Sequence, residues 1–161
     1  MTESPARPEA QIHLRRFGGC TGQRRVVRSS VDSRAVQTAI AAYFEQHPGI
    51  AAVYLFGSVA RGTARPNSDV DVGVLYEQTP PATLLAQPYL AEADLNEQLR
   101  CPVQIIAMNQ APVDLVHRIL RDGVLVLERN KSLRIAFEVR ARNQYFDLLP
   151  ILQSYRAGTT Q

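Results

Sequence analysis

The chain has 161 residues, 45% of them hydrophobic and 20% charged, with a formal charge of +3 and an isoelectric point near 9.1. This length fits one domain with some excess and is enough to bury a core. No apolar run approaches the roughly 20 residues of a membrane span, and the opening MTESPARPEAQIHLRR lacks the apolar centre of a secretory signal. Cys20 and Cys101 match no zinc or redox spacing, which fits a reducing, cytoplasmic setting. His13, His47 and His117 are scattered and read as surface or helix-end residues rather than ligands.

Residues 1–30 are rich in Pro, Gly, Arg and Ser, and hold six arginines against two glutamates. The basic character therefore belongs to this tail. It reads as a disordered basic extension. A basic arm can also touch nucleic acid, but the repeated aromatic residues that would stack on bases are missing, which argues against that partner. Ser30 or Asp32 is placed to cap a helix from Arg34 to His47, with Val36, Ile40, Tyr43 and Phe44 on one face. His47-Pro48-Gly49 stops it.

Ile50 to Phe56 is a predicted buried strand, Ser58 to Gly62 a helical turn, and Thr63 to Ser68 a loop. Val70 to Tyr76 is a second strand, antiparallel to the first because the connection is short. Thr79-Pro80-Pro81 marks a turn and the start of a helix to about Leu99, with Leu84, Leu85, Leu90, Leu95 and Leu99 as its apolar side. Pro102 to Met108 is a third strand. Ala111 to Asp122 is a helix carrying Val113, Leu115, Val116, Ile119 and Leu120, ended by Gly123. Val124 to Glu128 is a fourth strand. From Lys131 a long helix carries Leu133, Phe137, Ala141, Tyr145, Leu148, Leu152 and Tyr155 at three- and four-residue steps. Pro150 is expected to kink or restart it after Leu149. The apolar surface from Tyr145 to Tyr155 either caps the sheet or meets a partner.

The chemistry concentrates in Leu55 to Tyr76, LFGSVARGTARPNSDVDVGVLY. Alternation in a strand turns Asp69 and Asp71 to one face, about 7 Å apart, and Val70, Val72, Val74 and Tyr76 to the other. Two carboxylates at the mouth of a strand suit a hard cation such as Mg²⁺. Gly57 lets a ligand approach the backbone, and N–H groups at a helix start attract phosphate. The stretch therefore has the parts to hold a metal and a nucleoside triphosphate.

GSVARG, the following SDVDV and APVDLVHRILRDGVLVLER resemble the nucleotidyltransferase superfamily of DNA polymerase β, and more closely its minimal members, the MNT antitoxins of HEPN–MNT toxin–antitoxin pairs. Gly57-Ser58, ten residues, then Asp69-x-Asp71 fits the signature GS-x10-DxD. The closing FEVRARNQYFDLLPILQSYR also resembles the C-terminal helix of that family. The resemblance implies an α/β (α+β) fold: a small mixed sheet flanked by helices, with a nucleotidyltransferase domain over residues 31–130 and a long C-terminal helix over residues 131–161. It implies that Asp69 and Asp71 are catalytic and hold Mg²⁺, and that Gly57, Ser58 and Arg61 meet the triphosphate of ATP. A surface arginine is the alternative for Arg61. It further implies transfer of AMP to a tyrosine of a HEPN ribonuclease toxin, which is thereby silenced. Superfamily members usually add a third carboxylate from a neighbouring strand, and the aligned position here is Gln104. Two other readings therefore stay open: a non-catalytic antitoxin that neutralises by contact, and a small-molecule transferase of the aminoglycoside-modifying type.

Overall fold

The computed structural model describes residues 32–65, 68–81 and 88–158. The basic extension, Leu84 and Leu85, and the side chains of Leu152 and Tyr155 lie outside the described residues. Nine elements follow in chain order among the described residues: α1 (Ser33–Glu45), β1 (Ile50–Phe56), α2 (Gly57–Ala60), β2 (Val70–Tyr76), α3 (Tyr89–Leu99), β3 (Val103–Ala107), α4 (Val113–Asp122), β4 (Val124–Glu128) and α5 (Lys131–Gly158). The strands form one sheet in the order β3-β2-β1-β4. β1 runs antiparallel to β2 and β4, and β2 runs parallel to β3, so the sheet is mixed.

The period-two pattern sorts the core. Val70, Val72, Val74 and Tyr76 of β2 pack with Val36, Ile40 and Phe44 of α1 and with Ala91 and Leu95 of α3. On the opposite face Ala52, Tyr54, Leu75 and Met108 pack with Val116 and Ile119 of α4 and Ala141 of α5. α4 crosses β2 at Gly73, where an added Cβ would lie 3.1 Å from Ile119 Cγ2 and 3.2 Å from Met108 Sδ. Glycine lets the helix lie this close without pushing Ile119 or Met108 back by a few tenths of an ångström.

Polar contacts fix the margins. The Asp32 carboxylate accepts from the Arg34 N–H at 3.0 Å and caps α1. Along the outer edge of β3, the Val103 and Ile105 N–H groups donate to Asn96 Oδ1 and Glu92 Oε1 of α3, at 2.5 and 2.8 Å. Side chains thus occupy donors that would otherwise template another strand.

α5 is tied to the sheet by Tyr54, whose hydroxyl donates to Glu138 Oε1 at 2.7 Å. Arg134 bonds both Glu138 and Glu128, the latter at 2.8 Å. Burial, and then Glu138, push the Tyr54 hydroxyl above the usual phenol range. Glu138→Ala leaves Tyr54 and Arg134 without their shared acceptor, so it is expected to lower the unfolding free energy by about 1–3 kcal/mol. Urea denaturation at neutral pH checks this, and an unchanged midpoint would refute it.

Two predicted elements differ in the structure. α3 as described runs from Tyr89, the predicted helical residues 82–87 lie outside the described residues, and Leu90, predicted on the apolar side, is 47% exposed. Ala91 and Leu95, four residues apart, are buried in the core, and Leu99, one turn further on, packs against it. α5 continues through Pro150 to Gly158 instead of restarting. A proline removes only its own bond, here to the Phe146 carbonyl, and the flanking bonds carry the helix on. Leu148 is 39% exposed, so the sheet-facing stripe weakens beyond Ala141.

Candidate active site

β1 and β2 are antiparallel with Phe56 opposite Asp71, so the end of β1 and the start of β2 meet at one end of the sheet. The chain turns there from Phe56 into α2 through Gly57, whose φ is +74°. The Asp71 carboxylate packs directly against the Gly57 α-carbon. A Cβ built on Gly57 would collide with that carboxylate, 2.8 Å from its Cγ. Glycine is therefore demanded twice, by the backbone angle and by the acid beside it.

Asp69 is exposed and Asp71 is partly buried. Burial and then the neighbouring Asp69 push the Asp71 carboxyl up from its ordinary range, and Arg61 opposes them. Arg61 caps the C-terminal end of α2, where its backbone N–H donates to the Gly57 carbonyl at 3.3 Å, and its exposed side chain makes no hydrogen bond or ion pair among the described residues. Its charge also acts on Asp122 at the end of α4, which is paired to Arg121 at 2.7 Å. Ser58 is half-buried, and its carbonyl accepts from the Thr63 N–H at 3.0 Å, closing the turn after α2. The five residues singled out by the sequence, Gly57, Ser58, Arg61, Asp69 and Asp71, thus gather at one end of the sheet.

Gln104 stands beside Asp71 in the parallel β2–β3 ladder, with its side chain on the same face, and is exposed. The amide is neutral at every accessible pH, so the site carries two carboxylates where a third would fit. Among the described residues no three His, Cys, Asp or Glu side chains converge as a metal cage. Two carboxylates whose repulsion a cation would relieve, open to solvent on one side, nevertheless fit a divalent ion whose shell is completed by substrate phosphates and water. Asp69 and Asp71 are the residues able to hold it.

Asp122 near Arg61 was not singled out by sequence, since a helix-terminal Asp has no distinguishing spacing. The described histidines are engaged elsewhere. His47 Nδ1 lies 2.8 Å from the Tyr43 carbonyl, and His117 stacks on Tyr145 with ring centroids 3.6 Å apart. No helix among the described residues is long and apolar enough to cross a membrane.

Comparison with known proteins agrees with this geometry. No curated protein matches the chain in sequence. Among solved structures, a chain from the crystal structure of a toxin–antitoxin with AMP-PNP superposes with a TM-score of 0.69 at 22% identity, covering 78% of this chain and 98% of that one. A chain from the complex of tri-AMPylated Shewanella oneidensis HEPN toxin with MNT antitoxin gives 0.65 at 18% identity, covering 80% and 99%. A chain of the toxin–antitoxin MntA-HepT gives 0.59 at 19% identity, covering 80% and 99%. At these identities the likeness is one of fold. The family model described as polymerase beta, nucleotidyltransferase, matches residues 38–132, which take in the Gly57-Ser58 turn, both aspartates and all four strands. The chain belongs to the polymerase β-type nucleotidyltransferase family.

Proposed function

We propose that this protein is an antitoxin nucleotidyltransferase that moves AMP from ATP to a tyrosine of a HEPN-type toxin. The observation that carries the reading is the packing of Asp71 on Gly57, which puts a carboxylate pair against a backbone turn open to phosphate. The neighbours in toxin–antitoxin complexes, one with AMP-PNP and one with an AMPylated HEPN toxin, support the choice of nucleotide and acceptor. Mg²⁺ held by Asp69 and Asp71 would supply charge neutralisation on the phosphates. Gly57 and Ser58 would bind the triphosphate, with Arg61 beside them. The phenolic oxygen bonds to the α-phosphorus, the bond to pyrophosphate breaks, and the phenolic proton passes to solvent, because Gln104 cannot accept it.

Gln104 also favours a second reading, a binding antitoxin on the same fold that neutralises by contact. Incubation with labelled ATP, Mg²⁺ and the HEPN partner separates the two. Transfer puts label on the partner, and Asp69→Asn with Asp71→Asn removes both label and neutralisation. Contact alone leaves the partner unlabelled and neutralised by either protein. Gln104→Glu tests the missing carboxylate directly. General bases contribute roughly 10²–10⁴-fold, so the variant is expected to raise the transfer rate at neutral pH by about tenfold or more, with a new acidic limb in the pH–rate profile. A rate that does not rise would show that no base is needed at that position.

A further inference from the structure

We infer that the outer face of α5, along Ile135, Val139, Arg142 and Phe146, docks an amphipathic helix of the toxin, with a carboxylate of that helix opposite Arg142. This rests on the antitoxin reading above, which supplies the partner, and it holds for neutralisation by transfer or by contact. α5 carries two stripes where the body of the protein needs one. Leu133, Phe137 and Ala141 turn inward and pack with the core on the α4 side of the sheet, and Tyr145 stacks on His117 of α4. That stripe is enough to hold an amphipathic helix in place.

The second stripe is roughly opposite the first. Ile135, Val139 and Phe146 are 43%, 52% and 60% exposed, and the Arg142 side chain is 56% exposed. Their steps of four, three and four residues keep them in a band about 60° wide and about 16 Å long on the helix. This spacing is the seam by which one helix packs along another. One end of the seam lies towards the site. α4 and α5 advance side by side, since Val113 and Val116 share a cavity with Phe137 and Gln144, and His117 meets Tyr145. α4 then gives way to Gly123, where an added Cβ would lie 3.3 Å from the Leu55 carbonyl at the catalytic end of the sheet. The Phe146 end of the seam is therefore the end nearer the aspartates.

Charge selects the occupant. Arg142 sits within the apolar seam, and the exposed Lys131 borders its other end, one turn before Ile135. Glu138, one turn back from Arg142, is held by Tyr54 and Arg134 and stands 3.9 Å from the Arg142 guanidinium. Asp147 is about 100° round the helix from Phe146. A helix laid on the seam takes water away from Arg142, so it must bring a carboxylate of its own. A second copy of this chain does not. Parallel pairing sets Arg142 on Arg142, and antiparallel pairing sets it among Val139 and Phe146. An acidic amphipathic helix from a different protein satisfies both the apolar positions and the arginine.

The test titrates the HEPN-type toxin calorimetrically with the wild-type chain, Phe146→Ala, Val139→Ser and Arg142→Glu. Thermal melting reports folding, and a fluorescent ATP analogue with Mg²⁺ reports the catalytic end. All three positions are exposed, so the variants are expected to fold and to keep the wild-type nucleotide affinity. The expected result is a loss of about tenfold or more in affinity for the toxin, as for anchor residues at interfaces. Sedimentation of the chain alone is expected to show a monomer, and a dimer that Phe146→Ala dissolves would give the seam to a second copy and overturn the assignment. Folded variants that bind the toxin as tightly as wild type would also overturn it, and the antitoxin reading would stand. A wild-type chain that neither binds nor neutralises the toxin would remove the antitoxin reading, and this assignment with it.

Discussion

Asp71→Asn is expected to reduce transfer by about 10³-fold while making the nucleotide-free protein slightly more stable. The loss follows from removing half of the carboxylate pair, since charge neutralisation worth about 4 kcal/mol in the transition state corresponds to three orders of magnitude. The gain has a separate origin. Burial and Asp69 raise the Asp71 carboxyl above its ordinary value of 3.8. A raised acid favours folding in its protonated form. Its contribution is fully present below the ordinary value and is lost as pH rises through the folded one. At pH 7 the wild-type carboxylate therefore carries a penalty that asparagine lacks. Solvent screening at this open site keeps the difference within about 1 kcal/mol. Melting curves at pH 7 without divalent ions should place Asp71→Asn above wild type, and the gap should close as the pH falls towards 4. Adding Mg²⁺ and ATP should reverse the order, because ligand at 100 times its Kd stabilises the binding-competent protein by about 2.7 kcal/mol. If the asparagine variant gains as much from Mg²⁺ and ATP as wild type, Asp71 is not a metal ligand.

Gly57→Ala is expected to lose transfer as completely as Asp71→Asn, and to lose stability as well. The positive φ alone costs a non-glycine residue about 1–3 kcal/mol. The new methyl would also displace the Asp71 carboxylate, whose Cγ lies only 2.8 Å from its position. At about 2–4 °C per kcal/mol for a protein of this size, the melting temperature should fall by several degrees. Gly62→Ala provides the control. Gly62 has a φ of +68°, yet nothing lies within 4 Å of a Cβ built there. That variant should pay the backbone strain and keep its activity. If Gly62→Ala and Gly57→Ala lose activity equally, backbone strain in the turn, and not the contact with Asp71, is what the site cannot tolerate.

The strands were legible in the sequence to the residue for β1, β2 and β4, because β1 and β4 are apolar runs beside glycines and β2 alternates with Val70, Val72, Val74 and Tyr76 on one face. The signature was legible because Gly57, Ser58, Asp69 and Asp71 lie close in sequence with a defined spacing. Alignment also placed Gln104 at the position that the β2–β3 register pairs with Asp71. Helix ends were harder. Leu90 fits the apolar period of α3, yet it points to solvent, since periodicity does not say which of two adjacent stripes a sheet will cover. Pro150 breaks helices in isolation, but here its helix continues. Long-range side-chain hydrogen bonds were not legible. The bond from Tyr54 to Glu138 spans 84 residues, and the bonds from β3 to Glu92 and Asn96 depend on where α3 lies against the sheet. The contact between Gly57 and Asp71 showed only as residue types, because it arises from strand register.

Gly73, which takes no part in the chemistry, acts as the fulcrum of a lever. α4 rests on it through Ile119, and the far end of the same helix carries Asp122 and leads into Gly123, whose added Cβ would meet the Leu55 carbonyl at 3.3 Å. A methyl group at Gly73 would press on Ile119 and Met108, which would have to give by a few tenths of an ångström. The closeness of α4 to the sheet is therefore set in part by an absent side chain in the middle of β2.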